Sequence, residues 1–460
     1  MSEKVTFSSR VGLIAATVGS AVGLGNVWRF PAEAQAGGGA AFLLIYIGCV
    51  ILLGIPVMVS EFALGRGASS DAVGVFRKLA PGTPWWIAGA LAILASYLIL
   101  CFYMVVAGWT FEYLWQSLTG ALYDAGAADI NGLGNENLRN LFAERMNNYI
   151  MGTVDPLVNT YVMIGLNLLV LMLGVRKGIE RISNILMPLL FVLLVVFCCV
   201  ALTLPNASAG LEFFFKPDFS KVTPHTVIGA LGQAFFSLSL GMGILITYSS
   251  YFPKDTRLTR TASIVSVLDL VVAVMMGVII FPTVMSFGLD GESVEGATLV
   301  FVTLPEVFAH MPLTQFWSSL FFLLLSVAAL TSTISIAEVT IAFFENRFGM
   351  KRFTACLLVL MPLFVLSTLC SLSLGVLDGW RIAGMNFFNF LDTVATNIML
   401  PVVAFLTCIY LGWRAPKGFM AGEITNGGTL HSKVLPAIIF IIRWLAPTLI
   451  LVILISQFLP

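Results

Sequence analysis

Eleven stretches of this chain are each apolar over about 20 residues, enough to cross the hydrocarbon core of a bilayer, and nothing constrains the fold more. They cover residues 11–35, 40–64, 87–118, 158–174, 183–203, 226–251, 258–288, 313–345, 352–373, 386–412 and 433–458. A segment in lipid must satisfy its own backbone polar groups, so these spans are helices and the fold class is an all-α integral membrane protein. Composition agrees: 58% of the residues are hydrophobic and only 10% charged, against about 25% charged in soluble domains. The formal net charge is zero, which leaves no basic surface for nucleic acid and makes the bilayer the first partner.

The polar segments between spans are short, apart from 119–157, which belongs outside the membrane, and 289–312, read as a helical hairpin dipping inward. The whole chain, 1–460, reads as one domain. Its N-terminus is polar and the first apolar run lacks an A-x-A site, so no cleavable leader is expected. The seven cysteines all fall in apolar runs without a CxxC pair and read as buried hydrophobes. The three histidines are far apart, which argues against a metal centre. Lysine and arginine placement sets the orientation. Only Arg139, Arg145, Lys216, Lys221 and Arg381 lie opposite the N-terminus; Arg29 and Arg443 fall within spans, and every other basic residue lies on the N-terminal side. The N-terminus is therefore expected in the cytoplasm, and an odd number of spans puts the C-terminus outside.

Two spans carry material ill-suited to a membrane helix. The first contains GSAVGLGNVWRFP (19–31) and the sixth contains SLSLGMG (237–243). Each glycine weakens a helix by about 1 kcal/mol relative to alanine. The two breaks lie five spans apart, at matching places in two five-helix halves. Interrupted helices at membrane depth are tolerated where the freed backbone lines a cavity, and such pairs point to a transporter's binding site. The GSAVG stretch is also a GxxxG, a helix-packing motif. Arg29 is either functional or an anchor reaching toward the surface. Asp269, alone in the seventh span, must take a proton or a cation. The triplet Thr331-Ser332-Thr333 could simply bond back to its own helix.

With these residues in view, the chain resembles the neurotransmitter:sodium symporters, particularly the bacterial amino-acid transporters. The matching runs are AVGLGNVWRFP (21–31), GGGAAFLLIY (37–46), GIP…E…LGRG (54–67), FFSLSLGMGILITYSSY (235–251), ALTSTISIAE (329–338) and FLDTVATNIMLP (390–401). The resemblance implies inverted five-helix repeats of spans 1–5 (about 11–203) and 6–10 (about 226–412), discontinuous helices 1 and 6, and an extra helix at 433–458. It also implies sodium-driven symport by alternating access, with no enzymatic step.

Carried over residue by residue, the family pattern places a first sodium among Ala21, Asn26, Ser237 and Asp269. A second falls among Gly19, Val22, Ala328, Thr331 and Ser332. Hard cations take oxygen ligands, and unwound backbone supplies carbonyls without adding charge. The substrate site is implied at Ser20, Ala21, Gly23, Gly25, Ile99, Tyr103, Phe236, Ser237, Ser239, Met242, Ser332 and Ile336. Half-helix ends near Gly23 and Gly25, helped by Tyr103, would hold a carboxylate. The family's amine carriers have an aspartate where this chain has Gly23, so the substrate here should bring its own carboxylate. The apolar lining suggests a hydrophobic or aromatic amino acid, although Ile99 and Ile336 could be ordinary packing. Asp269 stands where much of the family has asparagine, and Ala273 where other members have an anion ligand or carboxylate. A fixed negative charge at Asp269 predicts transport without a chloride requirement.

The outer gate is implied at Arg29 and Asp392, above a lid of Tyr103 and Phe236. The inner gate is expected from Lys4 or Arg10 with Tyr251, Glu338 and Glu345, with Glu180 nearby. Glu61 is expected to support the broken sixth helix. The expected function is symport of hydrophobic L-amino acids with two sodium ions, in the cell membrane. The alternatives are a carrier of another zwitterion, small or betaine-like, and a membrane sensor that binds amino acids without cycling. Oligomeric state is left open.

Overall fold

The computed structural model describes residues 6–124, 135–287 and 296–456, and every regular element among them is a helix. Among the described residues, nine helices are long and apolar enough to cross a bilayer: Ala40–Ala68, Trp86–Thr119, Asp155–Met172, Val175–Leu202, Leu258–Ser286, Thr314–Phe348, Arg352–Leu372, Phe387–Arg414 and Leu435–Ser456. The first span is a pair, Arg10–Ala21 and Gly25–Ala36, bent by 53° at the break. The sixth divides into Pro224–Ser237 and Ile244–Ser249, the second piece too short to span by itself. Each of the eleven expected segments thus holds a helix or a broken pair.

The outer surface carries exposed Leu169, Val192, Val365 and Leu451. Such a coat is unfavourable against water, by about 25 cal/mol per Å², and is the natural covering against lipid. The third and eighth spans, of 34 and 35 residues, would reach about 50 Å at 1.5 Å per residue, well beyond the hydrocarbon core. They pack side by side over the largest helix–helix contact in the molecule. The broken spans are set against this wall.

The stretch 119–157 includes a helix, Asn135–Met151. Two expectations need amendment. The stretch 289–312 forms, among the described residues, one short apolar helix, Gly296–Ala309, rather than a hairpin; its Leu299, Val300 and Phe301 are buried. Cys199 faces outward and Cys198 is half-buried, while the other five cysteines are buried and all seven are free. Both exceptions sit on the fifth span, whose outer face meets lipid, so an apolar residue there need not be interior. Short helices at Ala72–Leu79, Ala207–Phe215 and Phe419–Ile424 escaped the sequence reading. The first is started by Asp71, whose side chain accepts from the Val73 and Gly74 N–H groups.

Candidate functional site

The two breaks face each other in the middle of the molecule. In the sixth span the chain leaves the helix at Ser237 and passes through Ser239, Gly241 and Gly243 at φ of 55°, 77° and 72° before helix resumes at Ile244. Backbone groups freed by this excursion find side-chain partners, as burial demands. The Gly241 N–H donates to Glu61 Oε1 at 2.8 Å, and the Met242 carbonyl accepts from the Ser96 hydroxyl. Glu61 therefore supports the broken helix, as expected. Among the bonds that join the broken spans, Ser239 Oγ donates to the Ser20 carbonyl at 2.8 Å and Gln233 Nε2 to the Gly25 carbonyl at 3.1 Å. The Leu24 N–H donates to the Tyr103 hydroxyl at 3.1 Å. In the first span the glycines allow close approach. A Cβ on Gly23 would lie 2.6 Å from Ser332 Oγ, and one on Gly25 would lie 2.8 Å from the Phe236 ring.

Three of the residues expected at the first sodium meet through their side chains. Asp269 is fully buried. Its Oδ1 accepts from Asn26 Nδ2 at 2.8 Å and from Ser237 Oγ at 2.8 Å. Asn26 Nδ2 also donates to Ser237 Oγ at 3.1 Å, and Asn26 Oδ1 accepts from the Gly23 N–H at 3.3 Å. The Tyr46 hydroxyl donates to Asp269 Oδ2 at 3.3 Å. Tyr46 was missed; its only signal was a phenol at the end of GGGAAFLLIY. Ala21 lies at the end of the first helix piece, next to this cluster.

The second set gathers around the eighth span. Thr331 Oγ1 donates to the Ala328 carbonyl at 3.0 Å and Ser332 Oγ to the Val22 carbonyl at 3.5 Å. Gly19 faces Thr331, its absent Cβ placed 3.4 Å from Thr331 Cβ. No group of three or more His, Cys, Asp or Glu converges among the described residues. The donor set here is carbonyls, hydroxyls, an amide and a single carboxylate, which suits a hard monovalent cation better than a transition metal.

Between these clusters lies a cavity lined by Ser20, Ala21, Gly23, Gly25, Ile99, Tyr103, Phe236, Ser237, Ser239, Met242, Ser332 and Ile336, with ≈ 350 Å³ of empty space. All twelve residues expected at a substrate site share it. Tyr103 and Phe236 also border a second, larger space of ≈ 1130 Å³, which continues past Trp28, Trp109 and Phe388 to Arg29 and Asp392. Arg29 and Asp392 share this vestibule without forming an ion pair among the described residues. Arg29 Nε lies 3.8 Å from Glu33 Oε1, and its guanidinium stacks over the Phe236 ring at 5.1 Å. Asp392 accepts from Thr396 Oγ1 at 3.3 Å. The direct pairing expected for the outer gate is thus replaced by local partners, because the vestibule separates the first and tenth spans.

The opposite side is packed shut. Glu338 Oε2 pairs with Arg352 Nη2 at 2.5 Å, and Glu345 Oε2 with Arg352 Nη1 at 3.0 Å. The Tyr251 hydroxyl donates to Glu338 Oε1 at 2.8 Å. Tyr251, Glu338 and Glu345 therefore come together, but around Arg352, which the sequence reading overlooked. Its signal was an arginine just beyond the helix-ending Gly349, facing two glutamates at i and i+7. Lys4 lies outside the described residues. Arg10 pairs instead with Asp255, at 2.9 Å. Glu180 accepts from the backbone N–H and hydroxyl groups of both Ser8 and Ser9. The Phe7 N–H donates to the Tyr251 carbonyl at 3.0 Å, and the Phe7 ring meets Tyr248 and Tyr251 edge-on.

Comparison with known proteins points one way. The model of the sodium:neurotransmitter symporter family matches residues 4–130 and 143–459. An uncharacterized sodium-dependent transporter of Bacillus subtilis, YhdH, is 35% identical over 459 residues, 98% of each chain. An uncharacterized sodium-dependent transporter of Haemophilus influenzae is 34% identical over 465 residues, 99% of this chain and 98% of its own. The crystal structure of MhsT in complex with L-phenylalanine matches with a TM-score of 0.88 and 40% identity, covering 98% of this chain and 99% of that one.

Proposed function

The chain belongs to the sodium:neurotransmitter symporter family, a sodium-dependent, multi-pass membrane transporter rather than an enzyme, and from that premise we propose that its cargo is a hydrophobic or aromatic L-amino acid. The observation that carries this reading is the small cavity at the two helix breaks. It offers unwound backbone and the Tyr103 hydroxyl at one end and Ile99, Met242 and Ile336 around the rest. Gly23 puts no carboxylate into it, so the cargo supplies its own. The L-phenylalanine in complex with MhsT is an amino acid of the same class.

Two sodium ions would travel with it, one at Ala21, Asn26, Ser237 and Asp269, the other at Gly19, Val22, Ala328, Thr331 and Ser332. The Asn26 amide nitrogen now stands between Ser237 and Asp269, and a half-turn of that amide would present Oδ1 to a cation instead. Cargo carboxylate and first sodium would then share a shell, so each raises the other's affinity. The fixed charge of Asp269 makes chloride unnecessary in this scheme. Inverted five-helix repeats, residence in the cell membrane, a cytoplasmic N-terminus and an outer C-terminus complete the reading. The ≈ 1130 Å³ vestibule then opens outward, while the Arg352 cluster closes the cytoplasmic side. Closure of the vestibule would bring Arg29 to Asp392 over Tyr103 and Phe236.

The test is uptake of labelled amino acids into proteoliposomes under an inward sodium gradient, with potassium as control. Sodium-driven accumulation of leucine, phenylalanine, tyrosine or tryptophan is expected. Uptake confined to glycine, alanine or a betaine would overturn the apolar-cargo reading. Binding without sodium-driven accumulation would mark a sensor.

A further inference from the structure

On the side of the molecule where the first span begins, Arg10, Arg257 and Arg260 converge on a cavity of ≈ 680 Å³ floored by Leu13, Ile14 and Ile264. It lies between the first and seventh spans, apart from the cargo cavity; of its lining only Arg10 was expected at a gate, and Arg10 pairs instead with Asp255. Arg10 donates to Asp255. Arg257 and Arg260 have no ion pair or side-chain hydrogen bond among the described residues, so one carboxylate faces three guanidinium groups.

What lies below the arginines identifies the ligand class. Arg260, Ile264, Val267 and Val271 succeed one another along one face of Leu258–Ser286. Val267 and Val271 are exposed, as is Val11 at the start of the first span. A soluble anion would use the guanidinium groups and leave this aliphatic strip bare. A phospholipid uses both, with its phosphate among the arginines and a chain along the strip. Guanidinium groups hold phosphate oxygens in a paired geometry, and basic pockets between spans at the cytoplasmic surface favour anionic headgroups.

We propose that this cavity binds the headgroup phosphate of an anionic phospholipid, with one acyl chain against Ile264, Val267 and Val271. The phosphate bridges Arg10 on the first span to Arg257 and Arg260 at the start of the seventh. Occupancy therefore favours the state in which these two helix ends lie together, with the cytoplasmic side closed. The ligand assignment depends on the membrane location and not on the cargo. The cytoplasmic leaflet follows from the proposed orientation.

The test uses the full-length protein in nanodiscs of phosphatidylcholine containing a minor fraction of phosphatidylglycerol. Lipid retained after mild extraction is identified by native mass spectrometry. Phosphatidylglycerol is expected to be retained over phosphatidylcholine. Each lost guanidinium should cost about five-fold, so the variant Arg257→Gln/Arg260→Gln should lose the preference about 25-fold. Asp255→Asn, which frees Arg10, should strengthen retention, a gain that no folding defect mimics. Arg414→Gln, at an exposed arginine on the tenth span, should change nothing. Equal retention of the two lipids by the wild type, or an unchanged preference in the double variant, overturns the proposal. Displacement of phosphatidylglycerol by millimolar inorganic phosphate overturns it too, in favour of a site for soluble anions. Retention is read without transport, so failure of the cargo reading leaves this result standing.

Discussion

Replacing Arg352 with glutamine should open the side that the Arg352 cluster closes, the cytoplasmic one in the proposed orientation. Glu338 is 0% exposed and Arg352 17%, and the guanidinium is the only cation bonded to the Glu338 carboxylate among the described residues. Its Nε also donates to the Leu171 carbonyl at 2.8 Å, tying the ninth span to the fourth. Removing one member of a buried ion pair costs about 3–5 kcal/mol, because the other charge is stranded. The Glu345 contact, at 27% exposure, adds little. In the proposed cycle this pair parts when that side opens, so the penalty falls on the closed arrangement and the open population should rise. At the lower figure of about 3 kcal/mol the closed-to-open ratio falls about 150-fold. Cys356, one turn after Arg352 and fully buried, reports this directly. In a chain whose other cysteines are replaced, its labelling rate by a hydrophilic thiol reagent should rise by about that factor in Arg352→Gln. Arg352→Gln/Glu338→Gln, with no stranded charge, should recover much of the protection. A single variant that labels at the parental rate would refute the reasoning, as would a double variant no better than the single one.

Asp269→Asn removes the carboxylate that accepts from Asn26, Ser237 and Tyr46. It should raise the sodium concentration for half-maximal uptake by about ten-fold or more, since bonds to a charged acceptor contribute about 1.5–3 kcal/mol. Wild-type uptake should survive replacement of chloride by gluconate, whereas Asp269→Asn uptake should gain from chloride; identical sodium titrations would sink this account. Gly241→Ala places a Cβ 2.5 Å from the Leu400 carbonyl oxygen at φ 77°. The left-handed conformation alone costs about 1–2 kcal/mol and backbone cannot rotate away, so thermal unfolding of the purified variant should begin several degrees lower. An unchanged Tm would show that the sixth span repacks freely.

What could be read from residues alone was whatever depends on local pattern or on a motif confined to one stretch. Asn26 and Asp269 are polar groups where lipid tails should be, so each declared itself. Gly241 and Gly243 marked their break because L side chains rarely adopt the backbone they do. The resemblance added the grouping, and the twelve residues it suggested do line one cavity. Arg352 escaped because it begins a span in a basic stretch, where an ordinary surface arginine reads the same way. Its distinction is that Gly349, at φ 65°, turns the chain back so that Arg352 meets Glu338. Tyr46 escaped because a phenol at the end of an apolar run does not say which helix it will face.

The sequence by itself determined that the chain crosses a membrane many times and that its first and sixth helices are interrupted. These follow from hydropathy, helix propensity and side-chain chemistry, which act within one turn or one span. Only the tertiary structure decided that Arg29 sits over Phe236 rather than on Asp392, that Glu338 and Glu345 gather around Arg352, and that Arg257 and Arg260 of the seventh span line one cavity with Arg10 of the first. Each of these depends on the packing angle and register between helices distant in sequence. Those are set by side chains interlocking across the whole bundle, and no single stretch contains them.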